Sequence, residues 1–417
     1  DARDLLQQAQ DWMDKGELDS AETRVAMAIE TNPTLADGYY LMARLYLRRY
    51  DLDKAREYLL TSIDMEGHNQ EYRDTFERVN TIASLMAGAK RSLEGGDPYI
   101  AIGKYETVME QYPEVSALAL YHMGLASMRA DEIGEAAGYF KRAVTMDPLY
   151  EKPARALKGI ADKLFNEGNQ NLLRGNYEGA TASYEQVLEL SPTYYRAYYQ
   201  LGVVRTRLGE FDRALELYKK TVEVEPAFAK GWFALALAHQ RKGDLDSALD
   251  ALDRAISVDP GYAKAYAQKG VIYVKQGDYQ AAERAYNQAI QADPTYVRPY
   301  EDLGKIFVRQ EKFAEAVQTL TTATALDASS ETAWYMLAQS YNALGQCESA
   351  KEAAHSALDV KDTYAPAWFE LGRAEVCLGN KTAALNAFEK ARRDRSWRKA
   401  AEYEIDRIKH PEKYRSS

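Results

Sequence analysis

Small and apolar residues recur through the first half of residues 195–228 with the spacing of a helix. Tyr198, Leu201, Gly202 and Arg205 stand at i, i+3, i+4 and i+7, which places them on one helical face. This pattern predicts an amphipathic helix whose buried face carries a glycine. We expect a second helix to cross at that glycine, because a residue without a side chain lets two backbones approach closely.

The second half of the same stretch predicts another helix, bounded by turn signals. Gly209 suits the left-handed residue that ends the first helix, and Asp212 is placed to cap the second. Ala214 is the small residue expected at the crossing, and Tyr218 fills the space beside it. Pro226 ends the second helix, since proline has no N–H to donate. The stretch therefore predicts a helix–turn–helix unit.

This unit recurs along the chain. The segment "YYRAYYQLGVVRTRLGEFDRALELYKKTVEVEP" is followed by "FAKGWFALALAHQRKGDLDSALDALDRAISVDP" and "YAKAYAQKGVIYVKQGDYQAAERAYNQAIQADP". Pro192, Pro226, Pro260 and Pro294 are spaced by 34 residues three times over. A lone helix pair cannot bury its apolar face, whereas stacked pairs bury a continuous core. The period therefore predicts a stack of helix pairs.

Eleven such repeats can be placed in register, and positions below are counted from the first residue of each repeat. The repeats are 2–35, 36–69, 82–115, 117–150, 161–194, 195–228, 229–262, 263–296, 297–330, 331–364 and 365–398. Small residues at positions 8 and 20, a glycine near 15 and a proline at 32 resemble the tetratricopeptide repeat family. The resemblance implies an all-α fold, a right-handed superhelical solenoid of tetratricopeptide helix–turn–helix repeats.

Two interruptions of the register predict longer helices. Residues 70–94 and 151–174 each have the pattern of one helix, which extends the first helix of a repeat by 10 to 12 residues, about three turns. Each extension is either a tolerated insertion or an additional contact surface. We expect four segments: 1–69 with repeats 1 and 2, 70–150 with repeats 3 and 4, 151–398 with repeats 5 to 11, and 399–417.

The last segment predicts a C-terminal capping helix and tail. Trp397, Ala401, Ile405 and Ile408 recur at helical spacing. A terminal repeat would otherwise expose an apolar face to water, and a helix with one apolar stripe covers it. The basic residues between Lys390 and Lys399 suit the last turn of a helix, where the dipole favours positive charge.

Charge and hydropathy narrow the classes of partner. The formal net charge is −10, and a globally acidic chain is poorly suited to bind nucleic acid, since phosphates require a positive field. No run of about 18 apolar residues occurs, so no transmembrane segment is predicted. We expect protein or peptide partners.

No catalytic motif is found along the chain. The five histidines are scattered, and no phosphate-binding glycine loop or nucleophile elbow occurs. The eleven repeats leave little chain for a catalytic domain. The sequence therefore predicts a protein that is not an enzyme and has no cofactor or metal site.

The two cysteines stand at the same edge of the predicted stack. Cys347 opens the second helix of repeat 10, and Cys377 closes the first helix of repeat 11. These helices are expected to be adjacent and antiparallel, so a disulfide is possible in geometry, with two buried thiols as the alternative. A disulfide, together with a chain that begins at Asp1 rather than Met, favours an exported or periplasmic bacterial protein. The alternative is a cytoplasmic protein.

The resemblance also implies where a partner binds, since first helices line the concave surface in the family. Positions 2, 5, 9, 12 and 13 face this groove. Position 5 is aromatic in several repeats, as is usual in the family, whereas position 9 is mostly apolar rather than Asn. Positions 2 and 13 are basic in repeats 6 to 9, and eleven residues bring them back to nearly the same face. The predicted groove residues are Arg196, Tyr199, Val203, Arg207, Lys230, Phe233, Leu237, Arg241, Lys264, Val271, Lys275, Arg298 and Arg309.

These positions predict an apolar track edged by positive charge inside an acidic protein. Our hypothesis is that the track binds an extended or helical segment with acidic and apolar residues, or a chain terminus. The alternative is a solvated charged face. The carboxylate clamp of some tetratricopeptide co-chaperones uses Lys at position 5 and Asn at position 9. Because neither pattern holds here, that clamp is not carried over.

The sequence therefore predicts a non-catalytic scaffold or adaptor for other proteins. Two other functions remain open. One is a substrate-recruiting arm or assembly factor of an envelope or polysaccharide machinery. The other is a self-assembling structural protein, in which the edge of one copy fills the groove of another and forms a homo-oligomer.

Overall fold

The structure is a computed structural model that describes residues 1–414. These residues form 23 α-helices, two short 3-10 turns and no strand. They divide into two compact units, an N-terminal unit of residues 1–197 and a C-terminal unit from residue 198 onward. No helix among the described residues combines the length and apolar character needed to cross a bilayer. The expected all-α fold of stacked helix pairs is confirmed.

The N-terminal unit contains ten complete helices. They are α1 (Ala2–Asp14), α2 (Leu18–Thr31), α3 (Ala36–Arg48), α4 (Leu52–Met65), α5 (Gln70–Glu94), α6 (Pro98–Gln111), α7 (Ser116–Arg129), α8 (Ile133–Met146), α9 (Glu151–Leu173) and α10 (Tyr177–Leu190). A 3-10 turn at Pro113–Val115 precedes α7, and α11 (Tyr195–Arg207) contains the boundary between the units.

The C-terminal unit continues the same alternation of first and second helices. Its helices are α12 (Phe211–Val224), α13 (Ala229–Lys242), α14 (Leu245–Val258), α15 (Ala263–Gln276), α16 (Tyr279–Ala292), α17 (Val297–Arg309), α18 (Phe313–Leu326), α19 (Glu331–Ala343), α20 (Cys347–Val360), α21 (Ala365–Cys377), α22 (Lys381–Ala391) and α23 (Arg398–Lys409). A second 3-10 turn spans Pro411–Tyr414.

The glycine at position 8 marks the crossing of the two helices in a repeat. A Cβ atom added at Gly202 would lie 2.5 Å from the ring of Tyr218, and one added at Gly124 would lie 2.5 Å from Phe140. Both distances are far below van der Waals contact. Position 8 is therefore small because a large buried ring at position 24 of the second helix already fills the space.

The turn between the two helices of a repeat has a left-handed residue at position 15 in all eleven repeats. Eight of these residues are glycines, including Gly209. The other three are Tyr50, Asp131 and Glu311, with φ angles of 57°, 63° and 58°. The predicted register of the repeats is therefore visible in the backbone itself.

Aromatic residues at position 4 join successive repeats. Their side chains donate a hydrogen bond to the carbonyl oxygen at position 32 of the preceding repeat, six residues earlier. The pairs are Tyr39–Pro33, Trp232–Pro226, Tyr300–Pro294, Trp334–Ala328 and Trp368–Asp362, at 2.7 to 3.2 Å. This bond satisfies a carbonyl of the loop between repeats, one residue beyond the C-cap of the second helix.

Two local expectations for repeat 6 were wrong. The N-cap of α12 is Glu210 rather than Asp212, and Asp212 instead accepts a hydrogen bond of 2.7 Å from Lys242. Tyr198 is only half-buried, whereas Leu201 and Val204 are buried. The buried face of α11 is therefore rotated slightly from the face that the apolar spacing indicated.

The C-terminal helix α23 covers the end of the stack. Ala401 and Ile405 are buried against Phe388 of α22. Trp397 precedes the helix and packs elsewhere, with its ring centroid 5.0 Å from that of Phe369 and 6.3 Å from that of Tyr335. The cap thus covers the core with one face and covers two position-5 rings with the tryptophan.

Candidate partner-binding groove

A hollow of about 600 Å³ lies along the first helices of the C-terminal unit. Five of the predicted groove residues line it, and the other predicted residues lie outside its lining. The five are Tyr199, Phe233, Leu237, Arg241 and Lys275. The structure therefore places three apolar groove positions and two positive charges around one concavity.

The position-5 rings form the floor of this hollow and are also part of the repeat packing. Tyr199 meets Phe228 edge-on, with ring centroids 5.3 Å apart, and Phe233 meets Tyr262 edge-on at the same distance. Burial raises the pKa of Tyr199 above its usual range and raises the pKa of Tyr262 to about 12. These phenols stay neutral at physiological pH, so the floor carries no charge.

Position 9 contributes unequally to the groove. Leu237 is 39% exposed and lies in the lining of the hollow. Val203 and Val271 are half-buried and pack against the core clusters of the unit. The apolar track predicted from position 9 is therefore concentrated at Leu237.

Two arginines at position 13 are held by aromatic rings that the sequence reasoning missed. The guanidinium of Arg241 lies 4.3 Å from the ring centroid of Phe211, and that of Arg309 lies 5.0 Å from Tyr279. Both rings stand at position 17 of the preceding repeat. An aromatic at position 17 followed by arginine at position 13 of the next repeat is the signal that could have revealed this contact.

Most of the predicted positive charges lack an acidic partner. Arg298 lies 3.6 Å from Asp302. Among residues 1–414, the others in the C-terminal unit have no carboxylate within 4.0 Å; they are Arg207, Lys230, Arg241, Lys264, Lys275 and Arg309. All six are exposed. A surface with unpaired positive charge attracts acidic groups in spite of the net negative charge of the chain.

Arg196 belongs to the N-terminal unit. Its Nε donates to the hydroxyl of Tyr195 at 3.2 Å, and its guanidinium lies 5.7 Å from the Tyr195 ring centroid. It lines a separate hollow of about 510 Å³ together with Tyr194 and Asp162. Arg196 therefore lines a different hollow from the one beside Leu237.

The two cysteines are joined by a disulfide between Cys347 of α20 and Cys377 of α21. Their Cα atoms are 5.9 Å apart, within the usual range for a disulfide. The bond connects the second helix of repeat 10 to the first helix of repeat 11, at the edge of the stack formed by the turns.

A buried carboxylate near the C-terminal end of the groove was missed by the sequence reasoning. Glu370 in α21 is 2% exposed, and its Oε2 accepts hydrogen bonds from Asn342 Nδ2 at 2.8 Å and from Arg373 Nη1 at 3.2 Å. Burial raises the pKa of Glu370 in spite of these donors. Asn342 and Arg373 occupy groove positions 12 and 9, so the carboxylate fixes two polar groove side chains.

No group of three His, Cys, Asp or Glu side chains among the described residues is placed to hold a metal ion. The polar groups of the groove are instead arginines, lysines and amides, which recognise carboxylates and backbone carbonyls.

Comparison with known proteins gives matches to repeat families and to solved repeat structures. The family described as the cilia and flagella-associated protein 70 C-terminal domain matches residues 162–357, and the tetratricopeptide repeat family matches residues 87–151 and 335–401. A comparison with curated protein sequences yields no significant match.

Three similar solved structures cover between 38% and 98% of this chain. MamA is 28% identical over 38% of this chain and 94% of its own, with a TM-score of 0.36. The pilF protein of Pseudomonas aeruginosa is 20% identical over 48% of this chain and 90% of its own, with a TM-score of 0.41. A chain of the APC/C hetero-tetramer Cut9-Hcn1 is 12% identical over 98% of this chain and 96% of its own, with a TM-score of 0.43.

The matched regions, the 34-residue register and the left-handed turn residue in each repeat agree with one another. The chain belongs to the tetratricopeptide repeat family, with about eleven repeats.

Proposed function

We propose that the chain is a non-catalytic adaptor whose C-terminal unit binds a protein segment carrying acidic and apolar residues. The observation that carries this proposal is the hollow beside Leu237. Its lining combines an apolar floor of Tyr199 and Phe233 with the positive charges of Arg241 and Lys275. The apolar side chains of a partner would be buried on the floor while its carboxylates pair with the cations.

The geometry of Arg241 favours such a partner. Because the guanidinium already stacks on Phe211, part of its conformational freedom is lost before a ligand arrives. A side chain ordered in advance loses less entropy on binding and gains more net affinity from each carboxylate. The six unpaired cations of the unit also lower the cost of bringing an acidic segment to an acidic protein.

A selection from random dodecapeptides displayed on phage tests the proposal with the full chain as bait. We expect enriched peptides to combine Asp or Glu with Leu, Ile, Phe or Trp. The variant Arg241→Glu/Lys275→Glu should lose at least tenfold in affinity for them, and Lys230→Glu/Lys264→Glu should weaken binding less. Each loss should shrink as salt rises, because the contacts are screened.

The matched control is Arg254→Glu/Arg284→Glu, which reverses two exposed charges on the second helices α14 and α16. This variant changes net charge by the same amount and should leave the affinity within about twofold. If the control lost as much peptide affinity as Arg241→Glu/Lys275→Glu, the loss would be explained by the overall charge of the chain and not by the hollow. Selected peptides without acidic residues would contradict the proposal directly.

A further inference from the structure

Aromatic residues at position 5 of two successive repeats occur twice among repeats 6 to 11. The two pairs are Tyr199 with Phe233 in repeats 6 and 7, and Tyr335 with Phe369 in repeats 10 and 11. Both pairs lie in the C-terminal unit, and both have tyrosine first and phenylalanine second. The two places can therefore be compared position by position.

The tyrosine of each pair has the same kind of neighbour. Tyr199 meets Phe228 edge-on, with ring centroids 5.3 Å apart, and Tyr335 meets Tyr364 edge-on at 5.9 Å. Phe228 and Tyr364 both stand at position 34 of their repeats. Because each repeat packs on the next in the same way, equal residues at equal positions give similar surfaces.

A side chain of the chain itself lies on the pair of repeats 10 and 11. The ring of Trp397 is tilted by 46° on Phe369, with centroids 5.0 Å apart, and stands edge-on to Tyr335 at 82° and 6.3 Å. Tilted and edge-on rings at these distances attract each other. Trp397 directly precedes α23, so the loop that leads to the cap brings an indole ring onto the two first helices. The pair of repeats 10 and 11 thus holds a tryptophan.

The pair of repeats 6 and 7 instead lines the hollow of about 600 Å³. Protein ligand sites have volumes of roughly 300–1,000 Å³, so the hollow has room for a side chain of a partner. Leu237, which is 39% exposed, extends the apolar lining. An aromatic side chain that entered here would meet the same two kinds of ring that hold Trp397.

The charges beside the two pairs favour different flanking residues. Positions 2 and 13 of repeats 10 and 11 have no charged residue, and the segment around Trp397 is basic. Its cations are Lys390, Arg392, Arg393, Arg395, Arg398 and Lys399. Arg241 and Lys275, by contrast, stand in the lining of the hollow. These cations repel a tryptophan with basic neighbours and attract one with acidic neighbours.

We propose that the hollow beside Leu237 binds an aromatic side chain of the partner, above all tryptophan, flanked by Asp or Glu. The indole packs on Tyr199 and Phe233 as Trp397 packs on Tyr335 and Phe369. Tryptophan is favoured because its large flat face gives more contact with both rings than any other side chain. This inference rests on the proposed function, since it specifies the anchor residue of the acidic segment proposed there.

Three synthetic peptides of one design test the anchor with the full chain. The first has a single tryptophan between two runs of glutamate, the second has leucine in place of the tryptophan, and the third has lysine in place of the glutamates. Fluorescence anisotropy of the labelled peptides gives their dissociation constants. The peptide with tryptophan and glutamate should bind about tenfold more tightly than either of the other two.

The variant Tyr199→Leu/Phe233→Leu keeps apolar side chains in the hollow and removes both rings. It should bring the affinities of the tryptophan and leucine peptides within about twofold of each other, while the preference for glutamate over lysine remains. The matched control is Tyr335→Leu/Phe369→Leu, which changes the same residue types at the pair that holds Trp397. This control should leave the preference for tryptophan unchanged.

A photocrosslink locates the bound ring without any substitution in the chain. The peptide with p-benzoylphenylalanine in place of tryptophan should crosslink, on irradiation, to residues within α11 to α13 and not to residues within α19 to α21. Peptide mapping by mass spectrometry identifies the site. Crosslinks confined to other helices would overturn the proposal, even if the leucine variant folds poorly.

The outcomes separate this inference from the proposed function. Equal affinities of the tryptophan and leucine peptides with glutamate flanks would overturn the aromatic anchor and leave the acidic and apolar partner standing. Equal affinities of the two tryptophan peptides would contradict the acidic partner, while a preference for tryptophan over leucine would still support the anchor. Absence of binding by all three peptides would overturn both.

Discussion

Position 15 of the repeat, the left-handed residue of the turn, makes different contacts in the two units. In the C-terminal unit the turns at Gly209, Gly243, Gly277, Gly345 and Gly379 have open space around them, with no atom within 4 Å of an added Cβ atom. In the N-terminal unit the turns at Gly16 and Tyr50 contact residues 147–150. A glycine that only ends a helix became, in one repeat, a tyrosine that makes a tertiary contact.

The hollows of the two units differ in the same way. The hollow beside Leu237 has no such attached turn in its lining, and its cations are exposed. A hollow of about 690 Å³ in the N-terminal unit has Tyr50 and His122 in its lining. The helix pairs themselves are alike, since Gly124 and Gly202 meet their position-24 rings at the same distance. The contacts of Gly16 and Tyr50, rather than repeat packing, distinguish the units, since the turns at Gly96 and Gly175 of the N-terminal unit are as open as those of the C-terminal unit.

The largest expected effect concerns the covalent connection in the C-terminal unit. Reduction of the Cys347–Cys377 bond, or Cys347→Ala/Cys377→Ala, should destabilise repeats 10 and 11 by roughly 2–4 kcal/mol, since the bond closes a loop of 30 residues. Thermal unfolding with and without dithiothreitol measures this, with the double variant as the control that must not respond to reductant. Alkylation of both cysteines without prior reduction would show that the bond is absent in solution.

The next effect tests whether the repeat packing is the same in both units. Gly124→Ala and Gly202→Ala should each destabilise by about 1–3 kcal/mol, because the added methyl meets a buried ring. Gly103→Ala and Gly138→Ala, with no atom within 4 Å, should stabilise α6 and α8 by roughly 0.5–1 kcal/mol. Urea unfolding compares the four. Unequal losses at Gly124 and Gly202 would mean that the units differ in packing as well as in their turns.

The third prediction compares the stability effects of replacing two left-handed turn residues, Glu311 and Tyr50, by glycine. Glu311→Gly should stabilise the C-terminal unit by about 1 kcal/mol, because it relieves a left-handed residue without removing a side-chain hydrogen bond or ion pair among the described residues. Tyr50→Gly relieves the same strain but should give no net gain, since the ring and hydroxyl contacts are lost. Equal stabilisation by both variants would remove the energetic distinction between the units.

The smallest effect is a pH dependence within α21. Burial holds the pKa of Glu370 above its unfolded value, so its charged form is disfavoured in the folded chain. Stability from this group is present below the unfolded pKa and is lost as pH rises. Glu370→Gln should therefore be more stable than the natural chain at pH 7, by on the order of 1 kcal/mol, and equal to it near pH 4.

Glu375 on the same helix is the matched control with the opposite sign. Burial opposes its ionisation, but hydrogen bonds from Asn380 and Lys351 hold the pKa of Glu375 below its usual range. Glu375→Gln should therefore lose stability at pH 7, and the loss should shrink as pH falls through the folded pKa. Urea unfolding at pH 4 and pH 7 checks both residues. Parallel responses of the two variants would contradict the assigned directions.

Five of the thirteen predicted groove residues surround one hollow, and the sequence could place them because the repeat register assigns each residue a position. Tyr199, Phe233, Leu237, Arg241 and Lys275 were predicted by position alone and lie around one hollow. The register could not show that Arg241 stacks on Phe211 or that Val203 packs into the core, since both depend on the neighbouring repeat. Nor could it show the burial of Glu370, because exposed carboxylates occur at many helix positions.

The sequence by itself determined the helices, the repeat length and the glycine turns, because these follow from interactions between residues fewer than 34 positions apart. Only the tertiary structure decided which turns touch and which remain open. Tyr50 and Asp147 lie 97 residues apart, and their meeting depends on the small rotations added by each helix pair between them. A local pattern contains no information about this accumulated rotation, so the contact of Tyr50 with Asp147 is seen only in the stacked repeats.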